Sequence, residues 1–528
     1  MISQRPAQHS SSPRQGMILI VVTIVLVMIS LAGFGFVAVM YTENKAAHLN
    51  VDEIHVDYAA ASGEELLKAV LAQGPPGRIA MGGLFDNPDL FKGQVLYLEP
   101  GTQAVVRFSV LVPRIEEGNI IGIRYGAENE SARINLSVLA QWEEAIPDSG
   151  RNALMQLPEM TDSVADAIMD WLDADSTPRS SGAERDYYSG LDPPMQPRNG
   201  PVESLEELLL VKGVTRELLF GSDTNQNHFV EQDEIDSVAG GLGHSGSSSG
   251  LPWAAYLTLY SGERNTRPDG PPRIDINHPD LQLLYQTLSG ALNEPWARFL
   301  IAYRQFGPYT GSEEGQANAT VTLDLNLPSK FKITSLLDLI DARVSIPQAS
   351  GPPEVFLSPF TSSPDSLRTS LPLLLDQVTV DKSPVLVGRI NINTAPREVI
   401  AAVPGMPETQ VEQILAGRGL QGGTEEPSRR HPTWLLAQNL VSLETMRELM
   451  PYLTCGGDVY RAQVVGYFDS GTPSARAEVV IDATGEVPRQ VYYKNLRLLG
   501  RGFDMEMLRG EQLEDLPTPS TADSADTE

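Results

Sequence analysis

The chain has 528 residues, enough for two to four domains at roughly 150 residues per domain. It carries 39 Lys and Arg against 68 Asp and Glu, and the net charge of −29 argues against a nucleic-acid-binding protein, which needs a basic surface to neutralise phosphates. The single cysteine, Cys455, excludes an intramolecular disulfide and zinc sites of the C-x-x-C type.

The first predicted element is a membrane-spanning helix. Residues Met17–Met40 contain no charged side chain and are numerous enough to cross a bilayer core of about 30 Å. Arg5 and Arg14 precede this segment, whereas Glu43 and Asp52 follow it. The positive-inside tendency therefore predicts a cytoplasmic N-terminus, with the rest of the chain on the other side of the membrane.

The helix is predicted to continue beyond the apolar segment. No proline occurs between Pro13 and Pro75, and the intervening sequence is rich in Ala, Glu, Leu and Lys. At 1.5 Å per residue, Met17–Gln73 would form one helix of about 85 Å. We expect its second half to be amphipathic and to pack on a structure outside the membrane.

The remaining chain predicts an α+β fold, in which a small antiparallel sheet is interrupted by a large helical insertion. Short β-branched and aromatic runs separated by Gly, Pro and Asn follow the helix, and three alternating segments near the C-terminus indicate further strands. The predicted segments are residues 17–74 for the helix, 75–138 for the first strands, 139–455 for the insertion, 456–510 for the last strands and 511–528 for a disordered acidic tail. Within the insertion, residues 244–250 indicate a flexible linker and residues 350–366 a long exposed loop.

Short internal repeats occur in and before the insertion. The pattern R-I-[ND]-[LI]-[NS] appears three times, at Arg133–Ser137, Arg273–Asn277 and Arg389–Asn393. Related segments with Glu159, Gly213 and Gly405 at corresponding turns predict helix-hairpin-helix units. In nucleic-acid-binding proteins such hairpins contact phosphate, but the second helices here begin with acidic residues. We therefore interpret the hairpins as packing units and expect no nucleic-acid partner.

The sharpest local motif is a twelve-residue calcium loop from Asp223 to Glu234, which fits D-x-[DN]-x-[DN]-G-x5-E at each ligand position. His228 replaces the usual Gly, and His visits the left-handed conformation more readily than a β-branched residue. The alternative is an acidic surface loop. The predicted ligands are Asp223, Asn225, Asn227, the Phe229 carbonyl, Glu231 and Glu234.

A second and weaker candidate consists of Asp173, Asp175 and Glu184. The two Asp residues stand at a predicted helix end, and Pro178 stops the helix, so that a loop could bring Glu184 back to them. The alternative is a solvated helix end. In both candidates the predicted cofactor is a structural calcium ion that stiffens a loop.

The sequence offers no support for catalysis. The seven His residues show no H-E-x-x-H spacing, and neither a G-x-S-x-G elbow nor a P-loop occurs. We therefore expect that the protein is not an enzyme.

The N-terminus resembles that of type IV pilins and type II secretion pseudopilins. A short basic leader, residues 1–16, ends in Gly16, and Met17 opens the apolar segment. In that family a prepilin peptidase cuts after this Gly and methylates the new N-terminus, which implies processing between Gly16 and Met17. Most members have Glu at the fifth mature position, where this chain has Val21. That departure is typical of the K subunit, the minor pseudopilin at the filament tip.

Further segments resemble the type II secretion minor pseudopilin K family. They are an ININTA segment, an Asp-Trp-Leu-Asp-x-Asp stretch, an Asn-Gly-Pro turn and a Ser-Leu-Glu-Glu-Leu run, found here at Ile390–Ala395, Asp170–Asp175, Asn199–Pro201 and Ser204–Leu208. Members of this family are known to hold calcium in the helical domain, which adds weight to the candidate site at Asp173, Asp175 and Glu184. The resemblance touches most of the chain from Gly16 to about Phe503 and is least between residues 251 and 380.

The resemblance implies a single-pass protein of the bacterial inner membrane whose C-terminal part lies in the periplasm. It would initiate assembly at the pseudopilus tip and support export across the outer membrane. The implied partners are other minor pseudopilins through the N-terminal helix, the prepilin peptidase and the inner-membrane secretion platform, with secreted substrates or the outer-membrane secretin as further candidates. Two alternatives stay open, a type IV pilus tip protein acting in adhesion and a membrane-anchored DNA-uptake protein that uses its hairpins.

Overall fold

The computed structural model describes residues 15–98, 104–116, 119–231, 234, 251–311, 323–348, 353–418 and 429–509. The α-helices in these ranges are α1 (Gln15–Leu71), α2 (Pro75–Ala80), α3 (Pro88–Phe91), α4 (Leu139–Ala145), α5 (Ser149–Leu154), α6 (Asp162–Leu172), α7 (Arg185–Ser189), α8 (Arg216–Phe220), α9 (Leu281–Ala291), α10 (Glu294–Phe306), α11 (Pro364–Arg368), α12 (Ser370–Gln377), α13 (Arg397–Ala401), α14 (Glu408–Gly417), α15 (Trp434–Ala437), α16 (Leu443–Leu449) and α17 (Met505–Leu508).

The strands outside the main sheet are very short, whereas those of the main sheet reach twelve residues in β2. They are β1 (Gln94–Leu98), β2 (Val105–Glu116), β3 (Asn119–Tyr125), β4 (Glu128–Asn129), β5 (Ile134–Asn135), β6 (Leu257–Thr258), β7 (Gly262–Arg264), β8 (Ile274–Asp275), β9 (Arg343–Ile346), β10 (Glu354–Leu357), β11 (Val378–Thr379), β12 (Val385–Val387), β13 (Ile390–Asn391), β14 (Leu453–Thr454), β15 (Val459–Phe468), β16 (Ser474–Asp482) and β17 (Arg489–Asn495).

Helix α1 is continuous, which confirms the prediction of one long helix. Every described side chain from residue 18 to residue 51 is exposed, and Phe34 is 73% exposed. Within the described part of the chain, α1 is the helix long and apolar enough to cross a membrane. It therefore fits a single-pass membrane anchor. Gly16 and Met17 fall in its first turn.

The main sheet joins strands from both ends of the chain. Its order is β1-β2-β15-β16-β17, with β3 paired to β2 and β4 paired to β15, and all these pairs are antiparallel. Val110 on β2 lies opposite Val464 on β15, so that the insertion leaves and re-enters the sheet between neighbouring strands. This arrangement confirms the predicted α+β fold, with a long helix on a small antiparallel sheet that a mostly helical insertion interrupts.

One face of the sheet packs against the second half of α1. Val56 and Leu67 on the helix are fully buried with Val110 and Val464 on the sheet. The helix comes so close that a Cβ on Gly466 would lie 2.2 Å from the backbone oxygen of Val56. Glycine at this strand position therefore permits the helix to approach the sheet.

The opposite face of the sheet is covered by the insertion and by the C-terminal segment. Leu111, Val465 and Tyr467 form an apolar cluster with Phe503 and Leu508. A charged network lies beside this cluster. Arg461 on β15 donates from Nε to Glu130 Oε1 at 2.6 Å and also pairs with Glu478 on β16, and the Glu130 side chain is fully buried.

The three R-I-[ND] repeats have a common role in the fold. Each contributes a two-residue strand that pairs in parallel with a later strand of sequence Leu-Thr or Val-Thr, namely β5 with β6, β8 with β11 and β13 with β14. The first strand of each pair ends in Asn or Asp. The Oδ1 atom of this residue accepts the backbone N–H of the residue two positions later, at 2.8–3.0 Å. Each pair therefore closes one successive segment of the insertion, from residue 134 to 258, from 274 to 379 and from 390 to 454.

The three predicted hairpin turns have the same backbone conformation. Glu159, Gly213 and Gly405 have φ values of 57°, 82° and 76°. Short helical segments flank each turn: α5 and α6, the 3₁₀ helix Leu205–Leu210 and α8, and α13 and α14. The left-handed turn explains the two glycines, whereas Glu159 occupies this conformation with a side chain.

The prediction of a long exposed loop at residues 350–366 is wrong. Strand β10 lies within it and pairs with β9, and α11 begins at Pro364. Phe360 is only 1% exposed. The Pro and Ser content indicated a loop, but the apolar side chains between them are buried. Residues 244–250 and 511–528, predicted as a linker and a tail, lie outside the described residues.

Candidate metal sites

Helix α6 aligns a row of carboxylates. Thr161 caps its N-terminus by accepting the backbone N–H of Val164, and the helix ends at Asp173. Asp166, Asp170 and Asp173 follow one another at intervals of four and three residues and therefore share one helix face. Asp170 is fully buried and Asp166 nearly so.

Two of these carboxylates shape the loop that follows the helix. Asp166 Oδ2 accepts the backbone N–H of Ser181 at 3.1 Å, and Asp170 Oδ2 accepts that of Ala183 at 2.8 Å. A Cβ on Gly182 would lie 1.9 Å from Asp170 Oδ2, so the loop needs glycine there. Asp166 and Asp170 thus hold the loop of residues 181–183 against α6 through these hydrogen bonds. Our sequence prediction missed this role, although their spacing on one helix face indicates it.

The returning loop brings Asp173, Asp175 and Glu184 together. One oxygen from each of these carboxylates lies within 4.8 Å of the others. Glu184 directly precedes α7 and is 4% exposed, while Asp175 is exposed. The sequence predicted this grouping as the weaker of the two candidates.

Several oxygens at this cluster are buried and receive no hydrogen bond from any residue that the structure describes. They are Asp173 Oδ1, Glu184 Oε1 and Asn199 Oδ1. The Asn199 side chain reaches the cluster from a residue with φ of 49°, and its Nδ2 donates to Glu184 Oε2 at 3.4 Å. Buried polar oxygens without partners are rare in proteins because desolvation without a hydrogen bond is costly. A hard cation with oxygen ligands would satisfy all three.

The electrostatics of the cluster favour a positive ion. Burial, followed by the negative charge of Asp175, raises the pKa of Asp173 to about 6. Burial also raises the pKa of Glu184. Arg179 Nη2 is 3.7 Å from Asp173 Oδ2, too far for a hydrogen bond, and its Nη1 donates to Glu143 at 3.1 Å. The arginine therefore compensates only part of the negative charge.

The loop from Asp223 to Glu234 folds back on itself. Asp223 Oδ2 accepts the backbone N–H of His228 at 2.7 Å, and Glu234 Oε1 accepts that of Thr224 at 2.8 Å. His228, at the position usually occupied by glycine, has φ of 70°. The loop thus adopts the left-handed turn that the motif requires, with both terminal carboxylates turned inward.

The central residues of this loop fit a cation less directly. Asn225 Nδ2 and Asn227 Nδ2 donate to the two carboxylate oxygens of Glu231 at 3.0 and 2.5 Å. The amide nitrogens therefore offset the charge of Glu231. Burial raises the pKa of Asp223 to about 6. The negative charge of Glu234 adds to this shift, and the hydrogen bonds from His228 and Asn227 oppose it. Carboxylates thus converge here, but the two amides would have to turn before their oxygens could serve as ligands.

The loop is held against the outer face of the sheet. Gln463 Nε2 on β15 donates to the Gln226 carbonyl at 2.8 Å, and Arg476 on β16 donates to the Asn225 carbonyl. The Phe229 side chain packs against the apolar cluster on that face. The sequence carries no signal for this contact, because the partners are more than 200 residues apart.

The central part of the chain matches a known family. Residues 132–220 match a family model described as "Type II secretion system (T2SS), protein K". The match spans 89 of the 528 residues. The match includes α6, the returning loop, α7 and the acidic cluster with Asn199.

Two individual proteins are similar to this chain. Over 135 residues it is 30% identical to the type II secretion system protein K of Pectobacterium carotovorum subsp. carotovorum, a match that covers 24% of this chain and 39% of the relative. The chain thus matches about two fifths of that relative's length. A chain from the crystal structure of the GspK-GspI-GspJ complex of enterotoxigenic Escherichia coli aligns over 86% of this chain and 99% of its own length, with 10% identity and a TM-score of 0.36.

Proposed function

We propose that the protein is a minor pseudopilin of a type II secretion system, anchored in the inner membrane and acting at the tip of the pseudopilus. The observation that carries this proposal is the division of α1. Residues 18–40 expose only uncharged side chains, and the later part of the helix packs on the antiparallel sheet. A membrane anchor that continues into a folded domain, in a chain with a protein K domain, suits a subunit assembled from the membrane.

Val21 supports the proposed tip position. A charged amine at the mature N-terminus is costly in lipid unless a carboxylate neutralises it. Val21 occupies the position where most members of the pilin family carry the neutralising Glu. A subunit without this carboxylate does not compensate the amine of a subunit above it, and the large insertion would obstruct stacking. Both features favour the last position in the filament.

The exposed apolar half of α1 indicates how partners would bind. We propose that it packs against the N-terminal helices of other minor pseudopilins within the membrane, after processing by a prepilin peptidase. The inner-membrane platform would support this assembly, with the folded part in the periplasm. Secreted substrates and the outer-membrane secretin are further partners that the family resemblance implies.

Processing provides the test of this proposal. The full-length chain co-expressed with a prepilin peptidase should yield a mature protein that begins with methylated Met17, measured by mass spectrometry. Gly16→Leu should abolish cleavage. Gly33→Leu is the matched control, because Gly33 lies in the same helix with open space around its Cα. Unchanged mass on co-expression would count against the proposal.

We further propose that calcium binds at both acidic sites and has a structural role. The orphaned oxygens of Asp173, Glu184 and Asn199 support the first site, and the inward carboxylates of Asp223 and Glu234 support the second. When bound, the ion supplies positive charge that offsets the repulsion among the carboxylates. Through the second loop it would also stiffen the contact between the insertion and the sheet.

Calorimetric titration of the full-length protein in detergent should therefore show two calcium-binding events. Glu184→Gln should remove one event, and the double variant Asp223→Ala, Glu234→Ala should remove the other. Asp186→Asn is the control, since this exposed carboxylate lies outside the cluster. Retention of both events in either test variant would refute the corresponding site.

A further inference from the structure

A cavity of about 620 Å³ lies in the second of the three segments of the insertion, which runs from residue 274 to residue 379. Its lining residues come from the start and the middle of that segment and from the residues just after its end. Its volume falls within the range of roughly 300–1,000 Å³ that is typical of ligand pockets. None of the candidate metal ligands contributes to it. The lining residues are Asn277, Arg304, Lys332, Val380, Asp381 and Lys382.

Arg304 is the deepest charged group of this cavity. It lies on α10 and is 4% exposed. Its Nε donates to the Phe331 carbonyl at 2.8 Å, and its Nη1 donates to the carbonyls of Ile276 and His278. Across the described residues, Nη2 makes no hydrogen bond and no carboxylate lies within 4.0 Å of the guanidinium.

A buried guanidinium without a carboxylate is electrostatically unfavourable. Taking a charge out of water costs several kcal/mol unless an opposite charge and hydrogen bonds compensate it. The carbonyls of Phe331 and Ile276 satisfy two nitrogens, but they carry no net charge. Burial accordingly lowers the pKa of Arg304, although the charge of Asp275 opposes this shift. Asp275 forms no ion pair with Arg304, so the positive charge in the cavity is only partly compensated.

The rim of the cavity adds positive charge. Lys332 is exposed and forms no ion pair with any described residue. Lys382 lies 3.2 Å from Asp275 and its side chain is 70% exposed. Asp381, the acidic residue of the lining, has its Oδ1 engaged by the backbone N–H of Ser383 at 2.8 Å. Three cations and one carboxylate thus line the cavity, in a chain whose net charge is −29.

We propose that this cavity binds a carboxylate presented by an acidic peptide segment of another protein, with Arg304 Nη2 as the buried contact and Lys332 and Lys382 at the rim. A carboxylate supplies both the negative charge and the acceptor that Arg304 lacks. The volume leaves room beyond one small oxyanion for the flanking peptide. Because the rest of the chain is strongly acidic, a local positive cavity would also select where an acidic segment binds.

The test is a binding measurement on the full-length protein in detergent at low ionic strength, with a fluorescein-labelled tetra-aspartate peptide as the probe. Lys332→Gln and Lys382→Gln should each weaken binding by about two- to fivefold, since each removes one solvent-exposed charge pair. The double variant should weaken binding by the product of the two factors. Raised salt should weaken wild-type binding further.

Lys330→Gln is the matched control, because Lys330 is an exposed lysine two residues from Lys332 and lies outside the lining. It should bind the peptide as the wild type does. Arg304→Gln should abolish binding, with the melting temperature measured in parallel because this arginine also donates to three carbonyls. The lysine variants keep the test decisive if the arginine variant does not fold.

Competition distinguishes the source of the oxyanion. The unlabelled peptide should displace the probe at a lower concentration than citrate or inorganic phosphate. Displacement by phosphate at the lower concentration would overturn the peptide proposal in favour of a free small anion. Equal peptide affinity in the wild type, in Lys330→Gln and in the Lys332→Gln, Lys382→Gln double variant would overturn the site itself.

Discussion

Gln463 on the sheet donates its side-chain amide to the backbone carbonyl of Gln226, in the middle of the loop from Asp223 to Glu234, at 2.8 Å. The two residues are 237 positions apart. Gln463 is 2% exposed, so this hydrogen bond lies inside the molecule. The acidic loop is therefore part of the contact between the insertion and the sheet, and its order affects both.

Replacement of Gln463 by Leu should destabilise the protein by about 1–3 kcal/mol, because the carbonyl of Gln226 would lose a buried donor. Gln490→Leu is the control, since Gln490 lies exposed on the edge strand β17. Its replacement should change the free energy of unfolding by less than about 0.5 kcal/mol. Chemical denaturation of the full-length protein in detergent measures both. Equal effects would show that the contact between loop and sheet contributes nothing.

Gly466→Ala should destabilise the protein by about 1–3 kcal/mol or more, because the added methyl group would meet the backbone of α1 at Val56 and Ala60. Gly122→Ala on strand β3 is the matched control, since a methyl group added there would meet no neighbouring group within 4 Å. It should be neutral or slightly stabilising. The melting temperatures of the two variants should therefore move differently. A tolerated Gly466→Ala would contradict the close packing of the helix on the sheet.

Much of this fold could be predicted from periodicity. The uninterrupted apolar segment and the absence of proline predicted α1. Short β-branched and aromatic runs predicted the first strands, and alternating segments predicted the last three. The parallel pairs that close the three segments could not be predicted. Each involves only two residues, such as Ile134 with Leu257, and a two-residue strand has no periodicity to detect. The strand β10 was missed because proline and serine surround its short apolar run.

The candidate sites were predictable to different degrees. The grouping of Asp173, Asp175 and Glu184 followed from a helix end and a stop signal close in sequence. The sequence identified Asn199 only as part of an Asn-Gly-Pro segment that resembles the family. Its approach to the acidic cluster depends on its own left-handed backbone conformation and on the tertiary fold. The cavity around Arg304 gave no sequence signal, since its lining comes from four separate segments.

Arg461→Met should destabilise the protein by about 3–5 kcal/mol, because it removes the closest cation from the buried carboxylates of Glu130 and Glu478 and leaves, among the described residues, only Arg133, 3.8 Å from Glu130. Arg489→Met is the control. Arg489 also pairs with a carboxylate on the sheet, Asp482 at 2.8 Å, but its side chain is 73% exposed. Its loss should cost less than about 1 kcal/mol. If urea denaturation showed that Arg461→Met and Arg489→Met lower the free energy of unfolding equally, the burial of this network would not matter for its contribution to stability.

Acid should weaken the same network in a defined pH range. Burial alone would raise the pKa of Glu478, but the charge of Arg461, its hydrogen bond to Glu478 and the charges of His228 and Arg133 together lower the pKa to about 2. A carboxylate with a lowered pKa stabilises the fold above its unfolded pKa, and this stability is lost as the pH falls through the folded value. The loss should be about 3 kcal/mol between pH 5 and pH 2.

Glu478→Gln removes this titrating group. Its free energy of unfolding should be lower than that of the wild type at neutral pH and should fall by about 3 kcal/mol less between pH 5 and pH 2. Glu506→Gln, at an exposed position on α17, is the control. Its free energy of unfolding should fall between pH 5 and pH 2 by as much as that of the wild type. Parallel pH profiles for wild type and Glu478→Gln would contradict the lowered pKa.

The effect of Glu184→Gln on the free energy of unfolding should change sign when calcium is added. Without divalent cations the variant should equal or exceed the wild type in stability, because it removes one negative charge from a cluster whose carboxylates lie within 4.8 Å of one another. With calcium at one hundred times the dissociation constant, the wild type should gain about 2.7 kcal/mol and the variant should gain much less at this site. Asp186→Asn should gain as the wild type does. A wild-type protein that is more stable than Glu184→Gln in chelator, with no added gain in calcium, would indicate that Glu184 is held by its protein contacts alone.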